Sequence, residues 1–331
     1  MVVRTEAGYH RVLLDDRTVV CRAPKRLLTG AGQDRRATTA VVIGDRVRVR
    51  LLTDGTGLIE EILPRSNELV RGAAGGSRYL DVIAANLDLL VAVHSFKQPE
   101  FNPSRLDRYL VMAEAAEIQA LVCLNKLDLI DTQEAGRLAE PYRAAGYPVI
   151  LTCAPSCQGV DELRDAVSGK VSALVGPSGV GKSSLLNDIQ PGLQLRTGDI
   201  SEATGKGRHT TTTAELLALS VGPRSAPGAE TPGTPRVWYP PTEAGARPNG
   251  GWIADTPGLR ELAIRDVEPE DAAWLFPEFR PYPSLCRFSD CTHREEPGCA
   301  IRREVERGSI ASTRYRSYLR IFTELAERRK F

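Results

Sequence analysis

The sequence predicts a multidomain chain. Its parts are an N-terminal all-β barrel of the oligonucleotide-binding (OB) type, a central α/β domain, and a C-terminal, mainly helical segment that binds a metal. Three observations carry this prediction. Up to residue 71, short strands punctuated by Gly and Asp follow one another with no strong helix. From 72 to 276, apolar strands alternate with amphipathic helical patterns, and "GPSGVGKSS" (176–184) lies between one strand and one helix. In 277–331, Cys286, Cys291, His293 and Cys299 fall within fourteen residues and precede a basic helical tail.

The bulk numbers agree. Of 331 residues, 42% are hydrophobic and 26% charged, enough apolar material for a large core and against wholesale disorder. No stretch approaches the ~20 apolar residues that span a bilayer, and the opening "MVVRTEAGYHRV" lacks the apolar core of a signal peptide. A cytoplasmic chain without a membrane partner is expected. Net charge is only +1, so any contact with nucleic acid must come from local patches. Seven cysteines, an odd number, argue against a disulfide framework in a reducing compartment. Cys21, Cys123, Cys153 and Cys157 read as free thiols.

In the first part, "YHRVLLDDRTVVCRA" reads as two strands about an Asp-Asp turn. "VVIGDRVRVRLL" alternates apolar and basic residues, and "GTGLIEEILPRSNELV" supplies a further strand. An OB barrel with Arg46, Arg48 and Arg50 projecting from one strand fits, as does an SH3-like barrel whose arginines only solvate a face. "RGAAGGSRY" (71–79) reads as a linker. In the second part, 87–93, 120–124, 148–152 and 172–175 read as strands and 104–118 as a helix, which implies a parallel sheet with helices on both faces. "AELLALS" and "WIADT" add two more strands. Between them, 221–251 is rich in Pro and Gly and reads as an exposed loop, with Trp238 and Tyr239 packed locally or available to a partner.

The loop Gly176, Pro177, Ser178, Gly179, Val180, Gly181, Lys182, Ser183 and Ser184 follows a strand and opens a helix, the context a phosphate-binding loop requires. Its glycines let backbone N–H groups converge on phosphates at a helix N-terminus. Lys182 would neutralise the β- and γ-phosphates, and Ser183 would hold magnesium. Asn125, Lys126, Leu127 and Asp128 follow another strand. A carboxylate at Asp128 accepts from guanine N1–H and the 2-amino group, donors that adenine lacks, so GTP or GDP is favoured over ATP. Thr152, Cys153 and Ala154 suit a loop backing the guanine. Asp255, Thr256, Pro257 and Gly258 end the last strand. Asp255 is placed to hold magnesium through water, and the Gly258 amide to sense the γ-phosphate. In 207–213, "GRHTTTT", Thr211 and Thr212 are the candidates to ligate magnesium. Leu259 stands where Ras-like enzymes place the glutamine that orients water, which leaves His209 as the internal substitute. An exposed loop histidine is the competing account.

The motifs thus run base reader, base-backing loop, phosphate loop, first switch, second switch, a cyclic rotation of the Ras-like order with no element missing. Domain termini often lie close together, so a sheet can be cut and rejoined without moving its site. A P-loop kinase and a non-enzymatic RNA-binding module are competing readings. The base reader, and the lack of any acceptor-site signature, weigh against the kinase.

Cys286-x4-Cys291-x-His293-x5-Cys299 offers three thiolates and an imidazole. That set closes a tetrahedral zinc shell with no open position, which makes the site structural. A chance crowd of reduced cysteines is the bland account. In the tail, Tyr315, Tyr318, Leu319, Phe322 and Leu325 recur at helical spacing and read as a packed face. Arg314, Arg316, Arg320, Arg328 and Arg329 read as an opposite face suited to RNA phosphates or merely to water.

Taken together, "GDRVRV", "LDRYLVMAE", "LNKLDL", "GPSGVGKSSLLN", "GRHTTTT", "DTPG" and "CTHREEPGCAI" resemble the ribosome small-subunit-dependent GTPase A family over nearly the whole chain. The resemblance implies an OB barrel, a circularly permuted GTPase and one structural zinc on Cys286, Cys291, His293 and Cys299. It implies GTP hydrolysis with magnesium, stimulated by the small ribosomal subunit, and a role in that subunit's late maturation through contact with its rRNA. A monomer is expected. Two departures stand out: the long 221–251 loop, and Cys153 where the family commonly has serine.

Overall fold

The computed structural model describes residues 1–331 apart from 7, 16, 25–26, 28–36, 39, 73–79, 191–213, 220–249, 256–261, 265–266 and 330–331. His209, Thr211, Thr212, Gly258 and Leu259, together with Trp238 and Tyr239 of the long loop, lie outside the described residues.

Strands β1 (Val2–Glu6), β2 (Tyr9–Leu14) and β3 (Arg17–Arg22) open the chain. Leu14 faces Arg17 across the β2–β3 turn, and Asp15 has φ +51°. Two-residue hairpins need that left-handed conformation, and Asp adopts it at low cost. Strands β4 (Ala37–Thr38), β5 (Val47–Leu51), β6 (Gly57–Ile62), β7 (Glu68–Gly72) and β8 (Leu80–Ala85) follow. Val2, Val12, Val19, Cys21, Val41 and Ile59 fill the interior of this strand-rich region. Arg48 and Arg50 do project outward, and each pairs at 2.8 Å with Glu61 or Glu60 of β6. Such exposed pairs contribute about 1 kcal/mol at most.

The "GDRVRV" stretch has a packing cause. Asp45 is fully buried and meets Arg65 through two bonds of 2.7 and 2.9 Å, while the Val42 N–H donates to it at 2.9 Å. Gly44, at φ +85°, lies so near β8 that a Cβ would come within 1.9 Å of the Ala85 carbonyl oxygen.

In the central region, β9 (Leu89–Ser95), helix α1 (Pro103–Ala115), β10 (Gln119–Asn125), α2 (Thr132–Ala144), β11 (Val149–Leu151), α3 (Val160–Val167), β12 (Val171–Val175) and α4 (Lys182–Ile189) alternate. Strands β13 (Ala214–Ala218) and β14 (Trp252–Asp255) complete the sheet. Strands β11, β10, β9, β12 and β14 are parallel neighbours in that order, and β13 is antiparallel to β14. Alternate residues of β9 serve the two faces: Leu90 and Ala92 join one core, Leu89, Val91 and Val93 the other. Burial on both sides is why these strands read as unbroken apolar runs.

Two ladders cross the division expected from the sequence. Strand β7 pairs antiparallel with β8, Glu68 opposite Ala85 and Gly72 opposite Leu80, so the ladder crosses residue 71. Strand β1 pairs antiparallel with β13 through Arg4–Glu215 and Thr5–Ala214, so eleven strands form one sheet running from β11 to β5. The Gly/Ala-rich stretch therefore joins two strands that pair with each other across the expected boundary.

The C-terminal part begins with 3-10 segments over Pro269–Leu275, Pro277–Phe279 and Pro283–Leu285. Helices α5 (Ala300–Arg307) and α6 (Ser312–Arg329) follow. Tyr318, Phe322 and Leu325 are buried and Tyr315 and Leu319 half-buried, as the helical spacing implied. Phe276 and Phe279 pack edge-on against Tyr318, at centroid distances of 5.7 and 5.4 Å. Arg314 departs from the outward face: its side chain is fully buried, held by Asp107 and Glu278. Sequence spacing placed it with Arg316 because the partners that draw it inward come from distant parts of the chain. Among the described residues no helix is long and apolar enough to cross a membrane.

Candidate nucleotide site and metal centre

Among the described residues, the base reader, the base-backing loop, the phosphate loop and Asp255 lie at the C-terminal ends of the parallel strands, where ligands bind in open α/β sheets. Strand β10 ends in Asn125, β11 runs into Thr152–Cys153, β12 runs into Gly176, and β14 ends in Asp255.

Asn125 is buried and acts as a brace. Its Nδ2 donates to the Val180 carbonyl of the phosphate loop at 2.9 Å, and its Oδ1 accepts from the Thr152 hydroxyl at 3.0 Å. Base reader, base-backing loop and phosphate loop are thus tied through one amide. A Cβ on Gly181, which has φ +97°, would lie 2.3 Å from Asn125 Nδ2, and one on Gly176 would lie 2.1 Å from the Val93 carbonyl oxygen. Those approaches give the two glycines their reason.

Helix α4 starts after Gly181, and no side chain caps it. A helix N-terminus without a side-chain cap favours an anion there. Lys182 Nζ donates to the Gly176 and Pro177 carbonyls, at 2.8 Å each. Ser183 and Ser184 are half-buried in that first turn, while Ser178 and Gly179 are exposed at the rim.

Asp128 is exposed. The Cys153 thiol donates to Asp128 Oδ1 at 3.2 Å, and the Leu127 N–H donates to the Thr152 carbonyl at 3.1 Å. Lys126, at φ +63°, sends Nζ to the Gln98 carbonyl. The adjoining Pro99 reaches the phosphate loop, its Cδ 3.7 Å from where a Gly179 Cβ would be. Ala154 begins a 3-10 turn beside this pair. At the opposite end, low-polarity surroundings and then its cross-strand neighbour Glu215 raise the Asp255 carboxyl above its ordinary range. A divalent cation would reverse that shift.

Sequence reasoning passed over His94, the residue after the apolar run of β9. It is buried, with its ring edge-on to Phe101 at 6.1 Å. Burial, and then Arg105 and Lys182, lower its pKa to about 4. Only its position after "LLVAV" hinted at this.

The second constellation could hold a metal ion. One ligand atom each from Cys286, Cys291, His293 and Cys299 lie within 4.8 Å of one another, and His293 Nδ1 is 3.5 Å from the sulfurs of Cys286 and Cys299. Tetrahedral coordination with metal–sulfur bonds near 2.3 Å puts ligand atoms about 3.8 Å apart, so the set fits one ion. Burial, with the neighbouring thiols, pushes Cys291 up to about 12 and raises Cys299. Three thiolates can coexist there only with a cation among them. Outer contacts orient the ligands: Ala300 N–H donates to Cys286 Sγ at 3.3 Å, Arg302 N–H to Cys299 Sγ at 3.5 Å, and the Tyr315 hydroxyl to the His293 carbonyl at 2.7 Å.

Comparison with known proteins places these features in context. Residues 62–236 match the model of the RsgA GTPase family. The chain is 41% identical over 290 residues to the small ribosomal subunit biogenesis GTPase RsgA of Gemmatimonas aurantiaca, covering 87% of this chain and 85% of that one. It is 37% identical over 329 residues to the protein of that name from Moorella thermoacetica, covering 99% and 98%. Among solved structures, YjeQ from Thermotoga maritima superposes with a TM-score of 0.71 at 32% identity, over 98% of this chain and 97% of that one. YloQ, described as a circularly permuted GTPase, gives 0.68 at 30% identity, over 99% and 94%.

Proposed function

The chain belongs to the RsgA GTPase family and is a GTP hydrolase, and from that premise we propose that it binds the small ribosomal subunit and its rRNA and assists a late step of that subunit's maturation. The subunit stimulates its turnover. The observation that carries the nucleotide part is the Asn125 brace, which puts an exposed guanine-reading carboxylate and an uncapped helix N-terminus on one edge.

In this reading Asp128 accepts from guanine, Cys153 holds that carboxylate, and Ala154 backs the base. Residues 176–184 hold the phosphates, with Lys182 turning from its loop carbonyls to the β- and γ-oxygens. Bound magnesium would supply charge neutralisation at those oxygens, with Ser183, Asp255 and one of Thr211 and Thr212 as its protein partners. Gly258 senses the γ-phosphate. Leu259 cannot orient water, so His209, brought in when its loop closes, takes that task, and the subunit completes the arrangement. Groups supplied in trans in this way accelerate hydrolysis by ~10³–10⁵.

The ion at Cys286, Cys291, His293 and Cys299 is one structural zinc, favoured by a closed shell of three sulfurs and one nitrogen. Arg316 and the neighbouring exposed cations of α6 meet rRNA phosphates; buried Arg314 takes no part in that contact. The protein works in the cytoplasm as a monomer of three domains, 1–71, 72–276 and 277–331. The β7–β8 and β1–β13 ladders join the first two domains closely.

Single-turnover GTP hydrolysis with and without purified small subunits is the deciding experiment. A clear rate increase with subunits is expected for wild type, and a much smaller one for His209→Ala. An unstimulated wild type removes the ribosomal reading. A His209→Ala variant that matches wild type in both arms removes only the histidine.

A further inference from the structure

The stretch "LDRYLVMAE" is not explained by the nucleotide site, since α1 covers a face of the sheet away from the phosphate loop. Its Asp107 is fully buried and meets a fully buried Arg314 from α6, Nη1 to Oδ1 at 2.7 Å. The same guanidinium donates to Glu278 through Nε at 2.6 Å and Nη2 at 3.1 Å. Three rings surround it: Phe276 at 4.8 Å, Tyr147 at 5.6 Å and Tyr142 at 5.8 Å.

Each partner on the central domain leads directly to the guanine side of the site. Helix α1, with Asp107, runs into β10, which ends at Asn125. Helix α2 is capped by Asp131, three residues after Asp128, and contains Tyr142. Tyr147 precedes β11, which delivers Thr152 and Cys153. Two further ion pairs bind the same surface to the C-terminal part, Arg280 to Glu114 at 2.6 Å and Arg108 to Glu324, and Glu114 also accepts from the Tyr147 hydroxyl at 3.0 Å.

We propose that Arg314 is a positioning residue for guanine binding: through it the metal-bearing C-terminal segment sets the placement of the two helices that flank the base reader. Two carboxylates, both mostly or wholly withdrawn from water, depend on this one cation. Losing it leaves both carboxylates without a cation; α1 shifts to rehydrate Asp107, and α2 loses the guanidinium packed on Tyr142. That movement reaches Asn125, Asp128 and Cys153 through the chain. By reciprocity, any partner that displaces α6 alters nucleotide affinity, and nucleotide alters that partner's affinity by the same factor.

The test uses the full chain and titration with a fluorescent GDP analogue, alongside metal content and melting temperature. Arg314→Met is expected to keep its metal and to bind GDP about fivefold or more weakly, an ordinary size for coupling between sites. Arg314→Lys should recover part of the loss, because an ammonium keeps the charge but cannot fork between two carboxylates. Leu325→Ala, a core truncation farther along α6, measures what lost stability alone does and should stay within about twofold of wild type. Wild-type affinity in folded Arg314→Met, or an equal loss in Leu325→Ala, overturns the proposal. If Arg314→Met does not fold, Glu278→Gln, which keeps the pair with Asp107, replaces it. A loss of about threefold then supports the proposal, and unchanged affinity overturns it. A wild type that binds no GDP removes the nucleotide reading and this inference with it.

Discussion

Asp128 offers its carboxylate to solvent while the Cys153 thiol holds Oδ1 from the protein side at 3.2 Å. A thiol is a weaker donor than a hydroxyl, so Cys153→Ser should bind GTP at least as well as wild type. Cys153→Ala should lose about 0.5–1.5 kcal/mol, a several-fold weakening. Equal titration curves for the alanine variant and wild type would show that the contact carries no affinity. Asp128→Asn should weaken GTP and favour xanthine nucleotides, whose 2-position is an acceptor; competition between the two nucleotides reads this directly.

His10 and His94 are also matters for single residues. Both are buried, and burial lowers both pKa values, that of His94 to about 4. A base whose folded pKa is depressed is neutral in the native state, so its contribution is fully present above the unfolded value near 6.5. The contribution is lost as pH falls from there toward 4. For His94 alone this amounts to roughly 2 kcal/mol between pH 7 and pH 5. Thermal melting across that range should show the decline, and His94→Phe should flatten it. A wild-type melting temperature that holds constant from pH 7 to pH 5 would contradict the buried, neutral assignment.

Among the elements, α5 depends most on one feature. Its N-cap is Cys299, whose sulfur accepts from the Arg302 N–H while it also faces the metal position. Cys299→Ala should therefore release the ion and unwind the start of α5 together. Helix α6 keeps its own seat on α1 through Arg314, so nucleotide binding should persist. Metal analysis, with hydrogen exchange over 286–307 and over α6, checks both halves of that expectation. The phosphate loop admits still less change. Gly181→Ala places a methyl 2.3 Å from Asn125 Nδ2 in a left-handed backbone, and it should abolish measurable GTP binding while leaving the metal in place. Retained binding would mean that Asn125 is no brace.

At the scale of the whole molecule, β1 continues the central sheet through β13. Strand β13 directly follows the residues in which the first switch is expected, and Asp255 at the end of β14 directly precedes those of the second. A nucleotide-driven movement of those residues would have a path to the N-terminal strands along β13 and to the C-terminal part along the chain after β14. Deleting residues 1–66 would strip β13 of its neighbour and leave an unpaired edge, a common route to aggregation. The truncated protein is expected to melt lower and scatter more light than the full chain. Equal melting and scattering would show that β13 needs no cover.

Much of this was legible in the sequence because it depends on short spacings. Walker-type glycines, NKLD and three cysteines with a histidine are local patterns, and buried strands between amphipathic helices imply a parallel sheet wherever they occur. Circular permutation was legible too, since motif order is itself a sequence property. Other features depend on which distant segments meet. Arg314 reads as one cation among several on a basic helix; only Asp107 and Glu278, 207 and 36 residues away, turn it inward. Asn125 reads as part of the base-reading motif; that its amide also ties Val180 to Thr152 depends on segments far apart in the chain. The Gly/Ala-rich stretch after residue 71 reads as a linker because flexibility is local, whereas the pairing of β7 with β8 and of β1 with β13 is not. Composition and periodicity determine what each segment can form. Desolvation and hydrogen-bond satisfaction, acting between segments far apart in the chain, decide which charges are buried and which strands share a ladder.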